Sequence, residues 1–330
     1  MRLLVTGGSG FIGTTVVSRA LARGDQVLNI DIKAPNLDTH RPYWRELNIL
    51  DRDGLIRAVT DFKPDYVIHL AAATGVDVPI PDPSHFLTNT QGVDNLVAAI
   101  RAAGTVRRTI YTSSLLVCRN GYLPKSDLDY CPPNPYGQSK VDGELIVRHS
   151  DHGSEWVIVR PTSVWGPWFE HSYKKFFQIV SRGLYVHIQK AANIIKPITY
   201  VGNAAFMMET LLIASGNRVA SQTFYLGDYP ESTVRQWAET VRRETGTRWI
   251  PTMPYVLLKL LALVGDGVKL LGWHGFPLTS FRLSNLVTGA HYPIEKTQDA
   301  VGPLPYALAD GVRETVHWMR NQNLLPASRR

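Results

Sequence analysis

Along the first half of the chain, short apolar runs alternate with stretches in which apolar residues recur every three or four positions. Residues 3–5 are a strand-like apolar run that ends in glycines. Helical periodicity then carries Phe11, Val16, Val17 and Leu21 on one face and stops at Gly24. Residues 27–30 read as a second strand closed by Asp31, and further strands are predicted at 66–70, 109–112 and 156–159. Helical patterns over 53–61, 89–103 and 136–149 fill the intervals. Strands alternating with helices predict a parallel sheet covered on both sides, a doubly wound α/β fold of the Rossmann type.

After Pro161 the pattern loosens into the turn-rich segment Trp165-Gly166-Pro167-Trp168, with helical stretches near 173–181, 203–213 and 233–244. The last hundred residues are helix and loop with many prolines. The reading is a dinucleotide-binding domain over 1–166, with 199–228 returning to it. A smaller, mostly helical substrate-binding domain takes 167–198 and 229–330. No internal repeat interrupts this division.

Composition narrows the class. With 44% hydrophobic and 19% charged residues, the chain is an ordinary globular sequence with ample core. Its N-terminal apolar run is too short for a signal peptide, so a cytoplasmic protein is expected. The most apolar stretch, 255–271, is interrupted by Lys259, Asp266 and Lys269. A spanning helix needs about 20 mostly apolar residues, so this one reads as a buried amphipathic helix, with membrane-surface contact left open. The formal charge of +7 comes from scattered lysines and arginines rather than a dense stripe. That favours a solvated surface or phosphate-bearing ligands over nucleic acid. Cys118 and Cys131 fit no metal or disulfide spacing, and no metal site is expected.

Thr6-Gly7-Gly8-Ser9-Gly10-Phe11-Ile12-Gly13 lies between the first strand and the first helix. Glycines here permit a tight turn and close approach of the backbone to a pyrophosphate, and the helix N-terminus supplies free N–H groups. Asp31 follows Gly13 by 18 residues at the end of the second strand, where a carboxylate accepts from ribose hydroxyls. A carboxylate there repels a 2′-phosphate, so NAD is expected over NADP, although Lys33 is nearby. In Tyr136-Gly137-Gln138-Ser139-Lys140 the i, i+4 spacing puts Tyr136 and Lys140 on one helical face. An ammonium beside a phenol lowers its pKa and suits it to proton transfer.

Together these motifs resemble the extended, epimerase/dehydratase-like branch of the short-chain dehydrogenase/reductase superfamily, over residues 1–230. Further matches are Asn48-Ile49 beside the adenine, His69-Leu70-Ala71-Ala72-Ala73, Asn89-x-x-Gly92 and Thr112-Ser113-Ser114. The segments Arg160-Pro161-Thr162-Ser163-Val164-Trp165-Gly166-Pro167 and Thr199-Tyr200-Val201-Gly202-Asn203 also match. The chain departs from the pattern at Cys118, Ser163 and Asn203, where tyrosine, asparagine and aspartate are usual; this puts substrate details in doubt. The resemblance implies NAD held by Gly7, Gly10, Phe11, Ile12, Gly13, Asp31, Ile32, Asn48, Ile49, Leu70, Ala71, Ala72, Thr74, Asn89, Tyr136, Lys140 and Pro161. It implies a substrate held by Thr74, Ser114, Tyr136, Ser163 and Lys196, the last standing where an arginine often meets a diphosphate.

It further implies hydride transfer at a carbinol carbon. Tyr136 is the general base, Lys140 lowers its pKa and holds the nicotinamide ribose, and Ser114 steadies the substrate oxygen. Leu115 and Leu116 stand where dehydratases of the branch carry Asp-Glu, and Leu116 where certain epimerases carry cysteine. What remains is oxidation and reduction at one carbon: 4-epimerisation, ketone reduction or alcohol oxidation. A nucleotide-diphosphate sugar is the leading substrate, and a 3β-hydroxysteroid the alternative. A non-catalytic NAD(H)-sensing regulator on the same fold would be marked by loss of Tyr136 or Lys140, and both are present. The resemblance also implies a homodimer formed by helices near 89–103 and 136–149, with support from Leu96, Ile100, Leu145 and Val147.

Overall fold

The computed structural model describes residues 1–75, 83–169, 172–191, 194–270, 289 and 292–325. Its main feature is a seven-stranded sheet. The strands are β1 (Arg2–Thr6), β2 (Gln26–Asp31), β3 (Trp44–Glu46), β4 (Tyr66–His69), β5 (Arg108–Thr112), β6 (Glu155–Pro161) and a last strand, Gln222–Leu226. The spatial order is Gln222–Leu226, β6, β5, β4, β1, β2, β3, and every pairing is parallel. The doubly wound sheet expected from the alternation is present. The chain runs outward from β1 to β3, then crosses back to β4 on the other side of β1. Thr6 is therefore in register with both Ile30 and His69. The winding reverses between β1 and β4, and in sheets of this kind ligands bind at the strands' carboxyl ends at such a point.

Leu3, Leu4 and Val5 are wholly buried, because parallel strands are covered on both faces. One face packs Leu4, Ile30, Val67 and Ile158 against Leu55 and Val59 of α2 (Arg52–Phe62) and Val93, Leu96 and Ile100 of α3 (Gln91–Ala103). Val147 of α4 (Pro135–His149) joins the same cluster. Leu96, Ile100 and Val147 are all buried in this cluster. α1 (Phe11–Ala22) packs beside the helix Val201–Ile213, tied by Arg19 Nη2 to Glu209 Oε2 at 3.0 Å.

The chain forms two compact units. The first comprises Met1–Val164, Thr199–Gly227 and Tyr292–Pro305; the second comprises Trp165–Ile198, Asp228–His291 and Tyr306–Arg330. Tyr292–Pro305 carries no strand pattern to tie it to the sheet. It is held there because Tyr292 stacks on Tyr225 at 5.1 Å and the Thr297 hydroxyl donates to the Tyr225 carbonyl at 2.7 Å.

The second unit is built on an aromatic cluster in which Trp165, Phe176 and Phe177 surround Trp237. It also holds the helix Tyr255–Leu270. Expected to be buried, that helix buries the stripe Leu258, Ala262 and Gly265, with Leu258 and Ala262 against Ile188. The helix is apolar nearly all round, and its partner is a two-residue ladder, Thr252–Met253 against His187–Ile188. So narrow a ladder can cover only one stripe. Leu271, the end of the expected helix, lies outside the described residues.

Candidate active site

The glycine loop follows β1. Gly7 has φ +74°, and a Cβ there would sit 2.5 Å from the backbone nitrogen of Ala71, in the loop after β4. Only glycine satisfies both the backbone conformation and this approach. The turn is closed by Gly7 N–H on the Ile30 carbonyl at 2.8 Å and Gly10 N–H on the Gly7 carbonyl at 3.1 Å. α1 begins at Phe11 after Gly10, which offers no side-chain cap, and its first turn carries no acidic residue. Its first N–H groups and positive dipole end therefore point to an anion. Phe11, Ile12 and Gly13 form that first turn.

Asp31 ends β2, as expected. Its carboxylate accepts from Ser9 N–H and from Lys33 N–H, each at 3.0 Å, so the same group that can meet a ribose also fixes the glycine loop. Ile32 beside it is exposed. Asn48 is exposed and accepts from Leu50 N–H at 3.0 Å, while Ile49 is buried in the core beneath Gly92. Leu70, Ala71 and Ala72 line the loop after β4, and Thr74 at its end is exposed. Asn89 holds that loop in place. Its side chain accepts from Ala73 N–H at 2.8 Å, donates to the Ala73 carbonyl at 3.0 Å and donates to Ser139 Oγ of α4 at 2.9 Å. The helix expected to start at Asn89 starts at Gln91, and Asn89 closes a tight turn before it.

α4 delivers the tyrosine and the lysine. Asn134 caps it by accepting from Gly137 N–H at 2.8 Å, and Pro135 occupies the first turn, where a missing N–H costs nothing. A Cβ at Gly137 would collide with the Leu116 carbonyl, so glycine lets the helix start against the turn after β5. That turn is capped by Ser114, whose Oγ accepts from Leu116 N–H at 3.1 Å. Ser114, Tyr136 and Lys140 are thereby brought together at the carboxyl end of β5. Lys140 Nζ donates to the Thr112 carbonyl at 3.1 Å and lies 6.0 Å from the centre of the Tyr136 ring.

The electrostatics differ from the expectation that Lys140 lowers the phenol pKa. Burial raises Tyr136 above its ordinary value, and a hydrogen bond with Ser114 is what opposes this. The lysine is itself desolvated: burial lowers it to about 8, against the favourable charge of Glu144. At about 8 the lysine is still mainly an ammonium at neutral pH, 6.0 Å from the centre of the Tyr136 ring. His69 is driven down to about 3 by burial and by the Lys140 charge, so it is neutral, with Nδ1 at 2.6 Å from Thr6 Oγ1.

Lys140 lines a cavity of about 20 Å³ together with His69, Asn89 and Glu144 and with the apolar Val93, Val147 and Ile158. It is large enough for one water. Glu144, one turn after Lys140, is paired with fully buried Arg160: Nε to Oε1 is 2.9 Å and Nη2 to Oε2 is 2.8 Å. Burial works against the Glu144 charge, but Arg160 outweighs it and holds the carboxyl below its ordinary value. The sequence reading missed this pair. Its signal was a single arginine ending the apolar run Val157-Ile158-Val159.

Pro161 is buried at the end of β6, and Ser163 follows, half-buried, on the first unit. Lys196 belongs to the second unit, where burial lowers its pKa. Cys118 is buried and Cys131 half-buried, and both are free thiols. Among the described residues no group of histidine, cysteine and carboxylate side chains could hold a metal ion.

Comparison with known proteins fits this geometry. The model of the NAD dependent epimerase/dehydratase family matches residues 3–213. The N-acetyl-alpha-D-glucosaminyl-diphospho-ditrans,octacis-undecaprenol 4-epimerase of Escherichia coli O157:H7 is 26% identical, over 96% of this chain and 94% of its own length. The 3 beta-hydroxysteroid dehydrogenase/Delta 5-->4-isomerase of Mycobacterium tuberculosis is 27% identical, over 92% and 86%. Among solved structures, the UDP-glucose 4-epimerase of Thermotoga maritima superposes with a TM-score of 0.73 at 21% identity, covering 98% of this chain and all of that one. With the Gly7–Gly13 loop, Asp31 and the Ser114, Tyr136, Lys140 cluster in place, the chain belongs to the NAD dependent epimerase/dehydratase family and is an NAD-dependent enzyme of the extended short-chain dehydrogenase/reductase type.

Proposed function

We propose that the enzyme interconverts a secondary alcohol and a ketone on a nucleotide-diphosphate sugar, as a 4-epimerase or a 4-keto reductase/dehydrogenase. The observation that carries this reading is the meeting of Ser114, Tyr136 and Lys140 where β5 ends and α4 begins. Bound NAD supplies the hydride acceptor and donor. Tyr136 removes the proton of the substrate hydroxyl as hydride leaves its carbon, and returns it in the reverse direction. Ser114 donates to the substrate oxygen and steadies its charge. Lys140 holds the nicotinamide ribose, and Asn89 fixes the loop 71–74 after β4. Leu115 and Leu116 offer no proton, which disfavours the elimination of water at this position. Lys196 is the proposed partner of the substrate diphosphate, on a second unit that serves the substrate as the first serves the cofactor.

The test is incubation with NAD and, in turn, UDP-, GDP-, CDP- and dTDP-sugars. Epimer formation is followed by proton NMR and NADH by absorbance, with the Tyr136→Phe variant as control. Turnover of none of these sugars would refute the substrate assignment. A second reading, a 3β-hydroxysteroid dehydrogenase, is favoured by the apolar helix Tyr255–Leu270 and by the mycobacterial relative. Turnover of a 3β-hydroxysteroid alone in the same screen would establish it instead.

A further inference from the structure

The helix Tyr255–Leu270 is hydrophobic nearly all round, yet among its described side chains a single stripe, Leu258, Ala262 and Gly265, is buried. On the opposite face Val256 is 69% exposed, Leu260 57%, Leu263 54% and Val264 58%. An α-helix that is apolar all round is stable only in a protein core or in lipid. Four adjacent aliphatic side chains facing outward form the kind of contiguous patch that marks an interaction surface. None of the helices among the described residues is long and apolar enough to cross a membrane.

Charge identifies the occupant. The second unit holds 16 lysines and arginines against 8 aspartates and glutamates, whereas the first holds 19 against 20. The whole excess of positive charge therefore sits on the unit that carries the exposed helix. Lys190 lies 4.9 Å over the ring of Tyr255 at the start of the helix, and Lys259 is exposed on its flank. Elsewhere in the same unit Arg182, Arg248 and Arg320 line a cavity with Trp249, which is 68% exposed. An exposed aliphatic helical face with Lys190, Lys259 and Tyr255 beside it, on a unit of net positive charge, has the character of a helix that lies in a bilayer interface and is attracted by anionic lipid.

We propose that the second unit docks on an anionic lipid surface, with Val256, Leu260, Leu263 and Val264 entering the acyl boundary and Lys190 and Lys259 facing lipid phosphates. This goes beyond the sugar or steroid assignment and holds for either substrate.

Full-length protein is floated with vesicles of phosphatidylcholine alone and of phosphatidylcholine mixed with phosphatidylglycerol. The expected result is binding to the mixed vesicles, weak binding to phosphatidylcholine, and release as salt is raised. Replacing both Leu260→Glu and Val264→Glu should weaken vesicle affinity by roughly a hundredfold, from the loss of two buried aliphatic side chains. NAD binding and the circular-dichroism spectrum should stay unchanged and so verify the fold. Absence of wild-type binding, binding indifferent to phosphatidylglycerol, or a double variant that binds as well as wild type would overturn the proposal. So would a dimer in light scattering that the double variant dissociates without any vesicle binding, since a second copy would then be the occupant.

Discussion

At the scale of single residues, the chemistry rests on a phenol that the protein alone makes less acidic, since burial raises Tyr136 and only Ser114 opposes. Tyr136→Phe should retain NAD affinity, measured by fluorescence titration, and lower turnover by about 10²–10⁴-fold. Near-normal turnover would rule out Tyr136 as the proton-transferring group. Lys140 gives a separate test by pH. Its pKa is lowered to about 8 in the folded, cofactor-free protein, whereas an unfolded lysine titrates near about 10.4. Between these values the unfolded chain holds a proton that the native one has released, so this group adds stability as pH rises. Urea midpoints should therefore favour wild type over Lys140→Met increasingly from about pH 8 to pH 10, and a constant difference would contradict the assignment. The identities of these residues were legible because their spacing is fixed by a helix. The direction of the tyrosine shift was not, because burial depends on side chains such as Phe86 that arrive from elsewhere in the chain.

At the scale of elements, the sequence marked the strands and the glycine loop well, because an apolar run between turns has few other uses. It placed the start of α3 two residues early, since the tight turn Pro83–Asn89 has no periodicity of its own. It overlooked β3, only Trp44–Glu46 long, and the edge strand Gln222–Leu226. Asp31 carries two duties that spacing could not separate: meeting a ribose, and accepting from Ser9 and Lys33. Asp31→Ala should thus narrow the ratio of NADP to NAD dissociation constants and also cost about 1.5–3 kcal/mol of stability, the worth of hydrogen bonds to a charged group. A shift in one quantity without the other would show that the duties are separable. The ion pair beneath α4 makes a sharper claim. Glu144→Gln leaves Arg160 buried and without its carboxylate, which should cost about 3–5 kcal/mol in urea unfolding. Adding Arg160→Met should recover part of that loss, and a double variant worse than either single one would refute the pairing.

At the scale of the whole molecule, the residues expected to hold NAD, from Gly7 to Pro161, all belong to one of the two units. The long apolar stretch was read as buried because a sequence reports how apolar a helix is and not how much surface its neighbours offer. The narrow ladder beside Tyr255–Leu270 is what leaves it uncovered. Ligands acting on separate units should leave separate marks. A ligand that binds only the folded state stabilises it by about 2.7 kcal/mol at a hundred times its dissociation constant. The amides that slow most are those it touches or orders. Saturating NADH should therefore slow amide hydrogen exchange in the glycine loop 7–13, in the loop 71–74 and at the start of α4. Exchange along the exposed turns of Tyr255–Leu270 should be unchanged by NADH, and slowed by vesicles containing phosphatidylglycerol. Protection of that helix by NADH alone would mean that the cofactor reaches or orders the second unit, and the assignment of cofactor and lipid to different units would then fail.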